Sequence, residues 1–173
     1  MWKWIVAGLA VVVIGVGLWA FEPWRLFTSS EIDEPLPSVA VDDNAASDGP
    51  GTKQPAEPEL VELAEGDFED AEHDTSGTAR IIELSDGSRF VRLEGLASSD
   101  GPDLHVWVTD QPSGGEWGSY DDGRYVRLGD LKATHGNQNY EIPGDADLAG
   151  MRSVVIWCDR FNVAFGTAPV RLG

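Results

Sequence analysis

One cysteine and three histidines carry the nucleophilic, redox or ligand chemistry open to this chain of 173 residues. Cys158 ends the run Val154-Val155-Ile156-Trp157, whose β-branched and aromatic residues read as a strand. Alternation then sets Val154, Ile156 and Cys158 on one face and Val155 and Trp157 on the other. Two roles are open to such a sulfur. It can be a small buried hydrophobe, or, as a lone cysteine in an exported protein, a reactive thiol, a cofactor ligand or half of an intermolecular disulfide. Asp159 and Arg160 follow it. A guanidinium beside the sulfur would lower its pKa and a carboxylate would raise it, whereas in a solvated loop neither would act.

His73, His105 and His135 are spaced about thirty residues apart, which fits no metal-binding signature, so no metal is assigned. The sequence has no C-x-x-C-H, so covalent c-type haem is excluded and non-covalent haem stays open. Asp103 and His105, two apart on a strand, project from one face and could form a cofactor site with Cys158. The plainer alternative has Asp103 bracing the turn after Gly101-Pro102 and His105 on a half-exposed face. Residues 110–123 make an acidic loop whose spacing fails the EF-hand pattern, and its Trp117 and Tyr120 are candidates for a partner surface. No G-x-S-x-G, P-loop, dinucleotide fingerprint or H-E-x-x-H is present, so no enzyme activity is assigned. A formal charge of −18 and a pI near 4.2 set nucleic acid aside as a partner, because phosphate binding needs clustered Lys and Arg.

The elements that must position these groups read as strands. Candidates are 78–84, 88–94, 104–109, 124–128, 140–142, 154–158 and 162–165, separated by Gly, Asp, Asn and Pro clusters. The expected fold is all-β, a sandwich or flattened barrel of about seven to nine short strands. Asp86-Gly87 marks a hairpin, yet a two-residue turn would set Glu83 opposite Phe90 and Leu84 opposite Arg89, mixing polar and apolar residues on both faces. A longer loop or a bulge would resolve the conflict.

Upstream, residues 4–21 carry no charge. About 18 apolar residues at ~1.5 Å each nearly cover a hydrocarbon core of about 30 Å. The expectation is a transmembrane anchor within residues 1–25, contacting the membrane through residues 4–21, with Trp2, Trp4, Trp19 and Trp24 at its ends. Lys3 before it and acids after it favour a cytoplasmic amino terminus, a single pass and an extracytoplasmic carboxy-terminal domain. Residues 26–65, rich in Pro, Ser and acids, read as a disordered stalk, leaving 66–173 as the β domain.

Four stretches in order resemble one family: Gly101-Pro102-Asp103-Leu104, Leu128-Gly129-Asp130-Leu131-Lys132, Gly136-Asn137-Gln138-Asn139-Tyr140-Glu141-Ile142-Pro143 and Val154-Val155-Ile156-Trp157-Cys158. Together with Thr75 to Ala79 and Phe161 to Phe165, they resemble the DM13 domain across the whole β portion. The resemblance implies a redox or electron-transfer module. Its characteristic cysteine corresponds to Cys158, acting as a naked thiol or as a ligand to a prosthetic group such as haem. Its partner would be a redox or envelope protein. The alternative is a non-enzymatic sandwich for adhesion or envelope interaction, working through the loop from Gly114 to Gly123.

Overall fold

The computed structural model describes residues 2–21, 28–39 and 60–172. One helix, α1 (Trp2–Phe21), precedes ten strands: β1 (Glu31–Asp33), β2 (Leu60–Asp67), β3 (Glu69–Asp70), β4 (Ser76–Leu84), β5 (Arg89–Ala97), β6 (Leu104–Thr109), β7 (Tyr125–Asp130), β8 (His135–Ile142), β9 (Ser153–Cys158) and β10 (Val163–Pro169). They form two five-stranded sheets, ordered β1-β8-β5-β4-β2 and β3-β10-β9-β6-β7. Every strand expected from the alternation is present, and β6 keeps its expected bounds.

The β4–β5 hairpin shows how the register conflict is resolved. Glu83 pairs with Arg89, Ile82 with Phe90 and Ile81 with Val91, one residue away from the two-residue turn. Ser85, Asp86 and Gly87 all lie in the loop, with Gly87 at φ 84° and the Leu84 amide donating to the Ser88 carbonyl. A three-residue loop ending in a left-handed glycine is the next commonest hairpin solution. The shift sorts the faces, because Ala79, Ile81, Val91 and Leu93 all turn inward.

Between the sheets lies one core, built from Ile81, Val91, Leu93, Tyr140 and Ile142 of the first sheet and Val106, Val108, Val154, Ile156, Cys158 and Phe165 of the second. A second cluster of Trp107, Tyr120, Val155, Trp157 and Ala164 covers the outer face of the second sheet. All six residues of β9 are therefore buried, and β6 nearly so, because apolar groups cover both faces. Tyr120 is 0% exposed, which corrects its expected place on a partner surface. Its ring closes the outer cluster while its hydroxyl accepts a bond from the Gly115 amide at 2.9 Å.

Two expectations about the amino-terminal part change. Among the described residues no helix is long and apolar enough to cross a membrane. The single-pass anchor over residues 4–21 is thereby overturned, and the cytoplasmic amino terminus and extracytoplasmic domain that rested on it go with it. The stretch read as a stalk also contributes structure at both ends. β1 pairs in parallel with β8, and β2 begins at Leu60 and pairs with β4. Trp24 and the stalk residues 40–59 lie outside the described residues.

β1 is held by side chains as well as by its ladder. Lys132 Nζ meets both Glu34 carboxylate oxygens at 2.9 Å, and Arg92 Nη1 donates to the Glu34 and Pro35 carbonyls at 2.7 and 3.3 Å. Burial works against the Glu34 carboxylate, yet Lys132 and the Asn139 amide together hold it below its ordinary value. Gly136, at φ 97°, lets the two strands approach, since a Cβ there would lie 2.1 Å from the Ile32 carbonyl oxygen. Under the same sheet, the fully buried Gln138 bridges the Ala133 backbone through Nε2 (2.7 Å) and Oε1 (3.2 Å), and its Oε1 accepts the Tyr140 hydroxyl at 2.7 Å.

Two outcomes follow from this packing. Gly136→Ala should cost roughly 1–3 kcal/mol through backbone strain. It should release β1, read as faster amide exchange at residues 31–37 with β6 and β9 unchanged; equal protection of β1 would contradict the close approach. The second concerns alkaline pH. Burial pushes the Tyr140 phenol well above its ordinary value. The unfolded chain therefore gives up this proton first, at about pH 10. Above that pH the native state binds more protons, so stability falls as pH rises, by up to about 1.4 kcal/mol per pH unit. Urea titrations of the wild type and Tyr140→Phe between about pH 9 and pH 11 should differ by that slope.

Candidate functional site

β6 and β9 run antiparallel and adjacent, with His105 opposite Trp157 and Leu104 opposite Cys158. Because neighbours along a strand point to opposite sides, this register divides the expected site between two faces. Asp103 and His105 share the outer face, as their spacing required, with His105 Nε2 3.0 Å from Asp103 Oδ1. Cys158 turns inward and is 0% exposed, in the core cluster with Leu104, Ile156 and Phe165. The three residues do not converge on one cavity.

The outer group is larger than the sequence indicated. His105 Nδ1 lies 3.1 Å from Asp130 Oδ1 and its Nε2 3.5 Å from Asp159 Oδ2, so both ring nitrogens face carboxylates. Asp159 in turn receives both terminal nitrogens of Arg127 at 2.8 and 3.1 Å. Asp103, His105 and Asp159 each offer one ligand atom within 4.8 Å of the others, an arrangement of the kind that holds a divalent cation. Asp159 was open to a loop role after the cysteine; β7 and β6 draw it into this network instead. Asp130 and Arg127 were missed as site residues, and the only available signal was their strand-like setting before Leu131.

Around the sulfur, burial pushes the Cys158 thiol above its ordinary value. The backbone N–H groups of Phe161, Arg160 and Asp103 act in the opposite sense and favour the thiolate, while the Asp103 charge adds to the rise. Arg160 thus meets the sulfur through its amide. A turn supplies these donors: the Asn162 amide bonds to the Cys158 carbonyl at 2.9 Å, and Asn162 adopts φ 56°. A cleft of about 320 Å³ opens close by, lined by Asp100, Asp103, Leu104, Asp130 and Lys132 among others, but Cys158 does not line it. A sulfur enclosed in this way does not fit axial ligation of a haem, which needs open space over the ligand atom.

The loop from 110 to 123 is anchored at its base. Thr109 Oγ1 donates to the Tyr120 and Arg124 carbonyls at 3.1 Å, and Ser113 Oγ meets Thr167 Oγ1 at 2.8 Å. Trp117 stays 51% exposed.

No curated protein and no solved structure matches the chain. The family model described as electron transfer DM13 matches residues 67–170, which takes in β4 to β10 and every residue of the groups above. The chain belongs to the DM13 family, and its role is related to electron transfer.

Proposed function

We propose that the domain exchanges single electrons with a redox partner and that Cys158 is the group oxidised and reduced. The supporting observation is the setting of the sulfur: 0% exposed, yet faced by three backbone N–H groups that favour the thiolate. Disulfide exchange needs a second sulfur to reach the first along the bond axis, and enclosure forbids that. Electron tunnelling needs no contact between atoms. In this reading one electron leaves the sulfur for a high-potential one-electron oxidant of the ferryl haem class. The thiol proton is released to water on oxidation and is recovered from it on reduction.

A second reading, adhesion or envelope interaction through the Gly114 to Gly123 loop, keeps the exposed Trp117 in its favour but loses Tyr120 to the interior.

Cys158→Ser separates the two. The hydroxyl inherits the backbone donors, so the fold should survive at a cost of roughly 0.5–3 kcal/mol. One-electron photo-oxidation of the folded wild type should give a sulfur-centred radical by electron paramagnetic resonance, lost in the serine variant. Identical spectra from the two proteins would remove Cys158 from the mechanism. The alkylation rate of the native thiol should stay low until the pH passes well above the ordinary cysteine value of about 8.5, because burial raises this thiol.

A further inference from the structure

The outer face of the second sheet carries three aromatic rings in a row. Tyr125 stacks on Trp107 with ring centroids 4.5 Å apart and planes 9° from parallel. Trp107 stacks in turn on Trp157 at 4.8 Å and 28°. The register places them there: Thr109 pairs with Tyr125, Trp107 with Val155, and His105 with Trp157, so residues of β7, β6 and β9 meet on one side. Tyr125 is 39% exposed, whereas Trp107 and Trp157 are each 1% exposed. The row therefore runs from solvent into the interior and ends beside His105 and its carboxylates.

From this geometry we infer that Tyr125, Trp107 and Trp157 form a relay for single electrons between the protein surface and the His105 end of the sheet. Indole and phenol are among the side chains most easily oxidised by one electron, and tunnelling weakens exponentially with the gap between donor and acceptor. Rings in van der Waals contact divide one long step into short ones. The inference rests on the electron-transfer role of the family and is independent of Cys158, which lies on the opposite face of β9.

The surroundings of Trp107 favour a reversible hole. Its Nε1 is buried and has no hydrogen-bond partner among the described residues, so none of these supplies a base to take the proton of an oxidised indole, which returns unchanged on reduction. Arg127 lies 4.8 Å over the Trp107 ring, and its charge opposes a positive indole. Asp159 offsets that charge through its paired bonds at 2.8 and 3.1 Å.

The electrons balance as follows. A high-potential one-electron oxidant of the ferryl haem class takes an electron from Tyr125, and the phenolic proton leaves to water. Trp107 fills that hole as Tyr125 regains a proton, Trp157 fills the hole on Trp107, and a one-electron reductant of the haem class restores Trp157. One electron crosses the face and no bond between heavy atoms changes.

The test injects a hole at the His105 end. A ruthenium polypyridyl photo-oxidant is tethered to the full chain at Asp130→Cys, whose wild-type carboxylate is 89% exposed and touches His105, in a Cys158→Ser background that leaves one reactive thiol. After flash-quench oxidation, transient absorption should show a tryptophanyl radical giving way to a tyrosyl radical. The chain has three tyrosines, so Tyr125→Phe, which keeps the stacked ring, should abolish the tyrosyl signal and prolong the tryptophanyl one. Trp107→Phe should abolish transfer to Tyr125. A tyrosyl signal that survives either substitution, or that never forms in the parent, overturns the relay. If Trp107→Phe does not fold, the Tyr125→Phe comparison alone decides. Because Cys158 is absent throughout, the result stands apart from the sulfur-radical experiment.

Discussion

The structure depends on β6 and β9 being buried on both faces. A strand covered on one side only would show the polar and apolar alternation typical of an antiparallel sheet. Here the inner side chains, Val106, Val154 and Ile156, fill the space between the sheets, and the outer ones, Trp107, Val155 and Trp157, are covered by Tyr120 and its loop. Removing either cover would leave a row of large apolar groups in water, at about 25 cal/mol for each Å² exposed. The loop from 110 to 123 is consequently part of the packing, and its bonds to Thr109 and Thr167 fix it there.

That constraint also divides the chemistry. Alternation along β9 sends Cys158 inward and Trp157 outward, and the same rule on β6 sends Asp103, His105 and Trp107 outward. The sulfur sits in an apolar compartment with backbone donors around it, and the ionisable groups gather across the sheet, where water reaches Asp103 and Asp130. Burial of this kind blocks reactions that transfer atoms while leaving electrons free to move.

The amino-terminal strand shows how a charged group can be held in a sheet of mostly apolar pairing. Glu34 is partly shielded from water, a cost offset by Lys132 and by the Asn139 amide. Arg92, only 4% exposed, is satisfied by the Glu34 and Pro35 carbonyls, Asn139 and Glu94. Without residues 34 and 35 this guanidinium would lose two of its acceptors, and an unpaired buried charge is strongly destabilising. The parallel strand and the buried arginine are thus mutually dependent.

The strands of the domain were legible in the sequence because period-two alternation and Gly, Asp and Pro punctuation are local signals. Thr78 to Leu84, Leu104 to Thr109 and Val154 to Cys158 carry them openly, and the shared faces of Val154, Ile156 and Cys158, and of Asp103 with His105, followed directly. β1 was not legible: Glu-Ile-Asp in an acidic, proline-bearing stretch has no strand signal of its own, and it pairs only because β8, a hundred residues later, offers an edge with Gly136 in it. The exposure of Cys158, the capture of Asp159 by Arg127 and His105, and the stacking of Tyr125, Trp107 and Trp157 were decided by tertiary structure alone. Each depends on which strand lies beside which and in what register. A sequence states which residues alternate, but only the sheet order, β10-β9-β6-β7, determines what covers the two sides.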